Sequence, residues 1–167
     1  MNLRQKSGLL LLLVFLAVGA WFMWHMGAPR RAALTFLDTF QAALSSNNSS
    51  VFLQAVATPV AIQGRTQSEQ AEFLQKALRD ELSVEGLAVL GREGQFGPLT
   101  NIFPVEAAGW AKQVGVPTKE CIAFKLERNG QRAEVVLWQQ ATLNPNQPPS
   151  LRLVRCNNVK QLADPKL

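Results

Sequence analysis

The 167-residue chain has no tyrosine and a single histidine, His25. The histidine lies outside the C-terminal four-fifths of the chain, so a Ser-His-Asp or Cys-His arrangement there is excluded. A histidine-based zinc site is excluded on the same ground. An all-cysteine zinc site needs four thiolates, and only Cys121 and Cys156 are present. No Gly-x-Ser-x-Gly, Ser-x-x-Lys, Walker loop or Gly-x-Gly-x-x-Gly occurs. No cofactor is implied.

Positive charge is also scarce where a nucleic-acid reader would need it. Residues 1–31 hold Arg4, Lys6, Arg30 and Arg31 and no acid, which accounts for +4 of the net +5. The remaining residues are close to neutral, with little counterion-release drive toward phosphate backbones. Nucleic acid is therefore not expected as a partner.

Long apolar runs are absent except for one. From Gly8 to Met26 there is no acidic or strongly basic side chain. Nineteen helical residues at ~1.5 Å each cover about 28 Å, close to a bilayer's hydrocarbon thickness. Trp21, Trp24 and His25 fall where a headgroup boundary would lie. A cleaved signal is the competing reading, with Val18-Gly19-Ala20 as its processing site, but Trp21 to Trp24 continue the apolar run. The expectation is a single-pass signal-anchor over 8–26 in an inner (cytoplasmic) membrane. A cytoplasmic tail, 1–7, precedes it, and a soluble domain, 30–163, lies outside the cytoplasm (N-in, C-out) and ends in a tail, 164–167. The membrane then counts as one partner and another protein as the second.

Beyond the anchor, Gly27-Ala28 allow a bend and Pro29 suits a first helical turn. Ala33, Phe36, Leu37, Phe40 and Leu44 predict a helix to about Ser45. A Ser/Asn turn follows over 45–50, then a short helix, 51–57, ended by Thr58-Pro59. Val60 to Gln63 reads as a short strand. Thr66 and Glu69 fit a capping box that opens a helix over 67–82, with Glu72 and Lys76 as an i,i+4 pair. Val84 to Glu93 reads as a strand, the glycines at 91, 94 and 97 as a loop, and 104–114 as a helix closed by Gly115 and Pro117.

The strongest local signal is Asn129-Gly130 between two strands, 121–128 and 131–140. A two-residue turn sets Lys125 opposite Glu134 and Glu127 opposite Arg132, while Ile122, Phe124 and Leu126 share a face with Leu137, Val135 and Ala133. A third strand, 151–159, follows a loop over 144–150. In such a meander Cys121 and Cys156 fall at opposite ends of the sheet, too far apart to bridge.

Helices followed by an antiparallel, curved sheet make an α+β domain. The element order over residues 30–160 resembles the NTF2-like (cystatin-like) cone, with 104–114 as an insertion. This resemblance implies a fold in which enzymes of the family place His, Asp or Tyr inside the cone, and this chain has neither Tyr nor an available His. It also implies a relation to NTF2-like domains of single-span proteins in bacterial secretion assemblies. Asp38, Glu72, Asp80, Glu81 and Glu106 are the carboxylates open to acid–base work, and they fit equally as solvated helix residues.

Trp110, Trp138, Phe40 and Val136 are the candidate binding surface or pocket. Trp138 shares a strand face with Lys125, Glu134 and Val136, open either to a partner or to cover by the helix bearing Trp110. The leading expectation is a non-enzymatic, membrane-tethered domain binding another protein in an envelope assembly. A small-molecule or lipid-binding cone comes second, and a carboxylate-dependent hydrolase third.

Overall fold

The computed structural model describes residues 3–46, 49–141 and 150–164, with side chains of 3–12 and 20–26 outside the description. Contacts divide the chain into two compact units, Met1–Ala32 and Ala33–Leu167.

The first unit is helical. It belongs to α1 (Leu3–Ser45), which is helical through Gly27, Ala28 and Pro29. Among the described residues no helix is long and apolar enough to cross a membrane. Within the expected span 8–26 the described side chains are those of residues 13–19, and they are solvent-exposed. The rest of the expected span, including Trp21, Trp24 and His25, lies outside the described side chains. This finding overturns the single-pass anchor, and with it the N-in, C-out orientation, the inner-membrane location and the membrane as a partner.

The second unit is α+β. After α1 come α2 (Ser49–Ala55), β1 (Val56–Ile62), β2 (Arg65–Gln67), α3 (Ala71–Glu81), α4 (Val84–Glu93), β3 (Gln95–Pro98), α5 (Leu99–Ile102) and α6 (Ala107–Val114). A meander closes the chain: β4 (Cys121–Arg128), β5 (Gln131–Gln140) and β6 (Ser150–Asn157), with a 3-10 turn at Lys160–Ala163. The six strands form one open sheet in the order β2-β1-β6-β5-β4-β3. It is mixed rather than antiparallel, because β1 pairs parallel to β6. The helices between those two strands let the chain return to the same end, which a hairpin cannot do.

Helices cover both faces of the sheet. On one side Leu37, Phe40, Leu44, Phe52, Leu74, Leu78, Leu87 and Leu90 pack against Val60, Phe124, Val135, Leu137 and Leu153. Each such fully buried side chain contributes about 1.5–3 kcal/mol. On the other side α5 and α6 bring Leu99, Phe103, Ala107 and Val114 onto Ala57, Ala123, Val136 and Val154.

The hairpin forms in the expected register, Lys125 against Glu134 and Glu127 against Arg132. Asn129 and Gly130 both take positive φ, 51° and 78°, as its two-residue turn demands. Elsewhere the expected elements shift. The segment 84–93, expected as a strand, is the helix α4: Ser83 caps it, accepting from the Gly86 N–H, and Gly86, Leu87 and Leu90 turn inward. A short apolar run of this kind has no period that separates strand from buried helix. The 67–82 helix begins only at Ala71, because Thr66 and Gln67 pair with β1. Its expected capping box is not formed, since Gln70 is the N-cap and Glu69 accepts from the Thr58 hydroxyl instead. Thr58-Pro59 lies within β1 rather than ending a helix, and the expected loop of glycines holds the end of α4 and β3. The loop 144–149, Asn47-Asn48 of the expected turn and the end of the C-terminal tail lie outside the described residues.

Candidate functional site

Alternation along β4 and β5 puts Cys121, Ala123, Lys125 and Glu127 on the same face as Arg132, Glu134, Val136 and Trp138. The apolar half of this face is roofed by α5 and α6. The other half carries charge. The β5–β6 pairing shifts after Val136, which opposes Arg155, while Leu137 opposes Leu153. This bulge leaves Val154 as an extra residue and delivers the Arg155 guanidinium to the charged half.

There Arg155 Nε donates to Glu134 Oε1, and Asn157 Nδ2 donates to the same oxygen at 3.1 Å. Arg132 lies 3.0 Å from Glu134 Oε2 as an ion pair whose alignment falls short of a hydrogen bond, and its Nη1 donates to Glu106 at 3.1 Å. Trp110 stacks beneath Arg155, 4.1 Å from guanidinium carbon to ring centroid, and touches Phe103 at 4.8 Å between ring centroids. Two carboxylates are thus matched by two guanidiniums. A hydrogen bond from its own backbone and then Arg132 hold the Glu106 carboxyl below the usual carboxylate range. At neutral pH it is ionised and stays paired with Arg132.

Of the candidate residues, Trp110, Val136 and Trp138 meet on this face as packing under and within α6, with Trp138 Nε1 donating to Glu120 at 2.8 Å. Phe40 is not with them. It is buried on the opposite face, between Phe36 and Phe52 at 5.9 and 5.7 Å. The five candidate carboxylates do not converge either. Glu81 is buried, accepting from Gln63 Nε2 and from the Asn158 N–H at 2.8 Å. Asp38 faces a groove with Val84 and Leu87, Asp80 lines another, and Glu106 pairs with Arg132. Cys121 and Cys156 are both free and buried. They lie on opposite faces of the sheet, opposite Trp138 and Val135 of β5, three residues apart along that strand and on the two strands that flank it.

A feature the sequence reading passed over lies at the sheet's edge. The turn Gln63-Gly64 folds β2 back on β1, and α3 runs beneath the pair. Between them is a groove of about 310 Å³ lined by Ile62, Gln63, Arg65, Gln67, Phe73, Lys76, Ala77 and Asp80. Phe73 is 57% exposed. Its position was visible in the sequence as the one aromatic on α3, out of step with the buried Leu74 and Leu78.

The chain matches no protein-family model, no curated protein and no solved structure.

Proposed function

We propose that this chain is a non-catalytic NTF2-like α+β domain that docks an extended segment of another protein between β2 and α3. The observation that carries this reading is the exposed Phe73 beside an edge strand. β2 ends the sheet, so among the described residues its outer backbone faces no further strand. An edge of this kind pairs readily with an added strand, whose alternate side chains then select pockets. Phe73 and Ala77 supply an apolar seat, and Arg65 and Lys76 outnumber Asp80, favouring a segment with an acidic residue beside its apolar anchor.

The filled sheet faces support the same reading against a lipid- or metabolite-binding cone. Phe40, Phe52 and Phe124 occupy the space that a ligand would need. The separated carboxylates weigh against a hydrolase. The tethered, envelope-bound form of the binding hypothesis falls with the anchor.

The test is site-specific photo-crosslinking in the native host, with the probe at Phe73 and a control at Val105, which is 87% exposed and remote from the groove in sequence. A defined polypeptide adduct at position 73, absent at 105 and lost on Arg65→Glu, is expected. Equal background adducts at both positions would overturn the reading. Phe73→Asp should fold normally, within about 0.5 kcal/mol of wild type, because the ring is not part of the core.

A further inference from the structure

The register of the β1–β2 hairpin fixes how an added strand would be read. Ile62 pairs with Arg65, Ala61 with Thr66 and Val60 with Gln67. Gln63 and Gly64 between them both take positive φ, 51° and 72°. In a two-residue turn of this kind the flanking residues, Ile62 and Arg65, are a hydrogen-bonded pair. Alternation then turns the N–H and C=O of Arg65 and Gln67 inward to β1 and those of Thr66 outward, beyond the last strand of the sheet. The same alternation sends the Thr66 side chain to one face and those of Arg65 and Gln67 to the other, where they line the groove.

The groove also has two distinct ends. α3 runs back along β2 toward the turn, because Gln63 Nε2 donates to Glu81 at the C-terminal end of that helix. Phe73, in the first turn of α3, therefore lies toward Gln67, while Arg65 lies beside the turn. Neither Arg65 nor Lys76 has an ion pair among the described residues, and the i,i+4 pair expected between Lys76 and Glu72 is not formed.

We infer that the docked segment adds antiparallel to β2 and is read at alternate residues in the order apolar-x-acidic. Its middle residue pairs with the backbone of Thr66. The residue before it seats on Phe73, and the residue after it brings a carboxylate to Arg65. This assignment rests on the docking reading above and adds register, direction and spacing to it. One outward-facing residue supplies one pair of main-chain bonds, so the two flanking side chains carry the selection. A second copy of this chain is a poorer occupant. Two β2 edges meeting about a two-fold axis would bring the Arg65 and Lys76 of both copies onto one seam, where like charges repel.

The experiment titrates the full-length protein with capped threonine heptapeptides and follows the backbone amide of Thr66 by NMR. The first peptide carries leucine at its third position and glutamate at its fifth. The others have the glutamate moved to the fourth position, the leucine and glutamate exchanged, or the fourth amide N-methylated. Saturable movement of the Thr66 amide is expected with the first. Moving or exchanging the glutamate, or Arg65→Gln, should weaken binding by about tenfold or more, because a charge-assisted bond is lost. N-methylation should abolish the Thr66 response. Arg65 and Phe73 are exposed, so Arg65→Gln and Phe73→Ala should both fold. Equal binding of all the leucine–glutamate arrangements, or saturation that leaves the Thr66 amide unmoved, would overturn the register while leaving docking at Phe73 intact. Failure of every peptide at millimolar concentration, with a polypeptide adduct still formed at position 73, would do the same. Loss of that adduct as well would remove the docking reading itself. Movement of the Thr66 amide with protein concentration alone would assign the edge to a second copy and overturn the inference.

Discussion

Arg155 lies against the face of Trp110 while its Nε donates to the buried Glu134, so one guanidinium joins β6 to both α6 and β5. Few side chains here have as much to lose. Truncating Glu134 to Ala strands a buried cation, and a loss of about 3–5 kcal/mol in urea unfolding is expected. Glu134→Leu combined with Arg155→Met should cost less than the two single changes added together. A coupling of about 0.5–3 kcal/mol from the double-mutant cycle would check this, whereas simple additivity would dismiss the contact as energetically idle.

The start of α4 offers a sharper steric test. A Cβ on Gly86 would lie 2.1 Å from the Val159 carbonyl oxygen, inside the chain's own backbone. Replacing a helical Gly by Ala ordinarily gains up to ~1 kcal/mol. Here the clash should reverse the sign and cost about 1–3 kcal/mol. Ser83→Ala next to it removes the cap to the Gly86 N–H and should cost about 0.5–2 kcal/mol in the same measurement.

Burial pushes the Cys121 thiol up to about 11 from its ordinary 9.0, with the Glu120 charge acting in the same direction. Burial, and then Glu81 and Glu134, raise Cys156 as well. A thiol that binds its proton more tightly when folded favours the native state below the unfolded value. That contribution is lost as pH rises from 9.0 toward about 11. Melting temperature should therefore fall more steeply over this window in the wild type than in Cys121→Ala. Equal slopes would show that the thiol does not report on folding.

Both thiols are sealed under native conditions, so iodoacetamide should modify neither until the protein unfolds. Mass spectrometry of folded and urea-treated samples would check this, and rapid native labelling at Cys156 would contradict the packing around β6.

How much of this was legible depended on the range of the interaction. The β4–β5 register could be read because its turn, charges and apolar face lie within 20 consecutive residues, Cys121 to Gln140. Even there the charges paired differently from a cross-strand ladder. Lys125 bonds Glu127 at 2.7 Å along its own strand, and Arg132 turns to Glu134 and Glu106. α4 was misread because its inward residues make no pattern unique to a helix. The Glu134–Arg155 contact depends on a bulge at Val154, and no local residue type announces a bulge. Phe73 was the missed opportunity, since an aromatic off the apolar stripe of α3 needs no structure to notice.

The parallel pairing of β1 with β6 also governs the order in which the chain can be assembled. β6 sits between β1 and β5, yet it is the last of these six strands in chain order. Until then the β1–β2 hairpin and the β3–β4–β5 ribbon are separate half-sheets, each with a long unpaired edge of the kind that invites wrong partners. A stop codon before Ser150 would therefore leave two fragments of sheet with nothing to join them. Completion of this sheet is deferred to β6, which makes that strand its keystone.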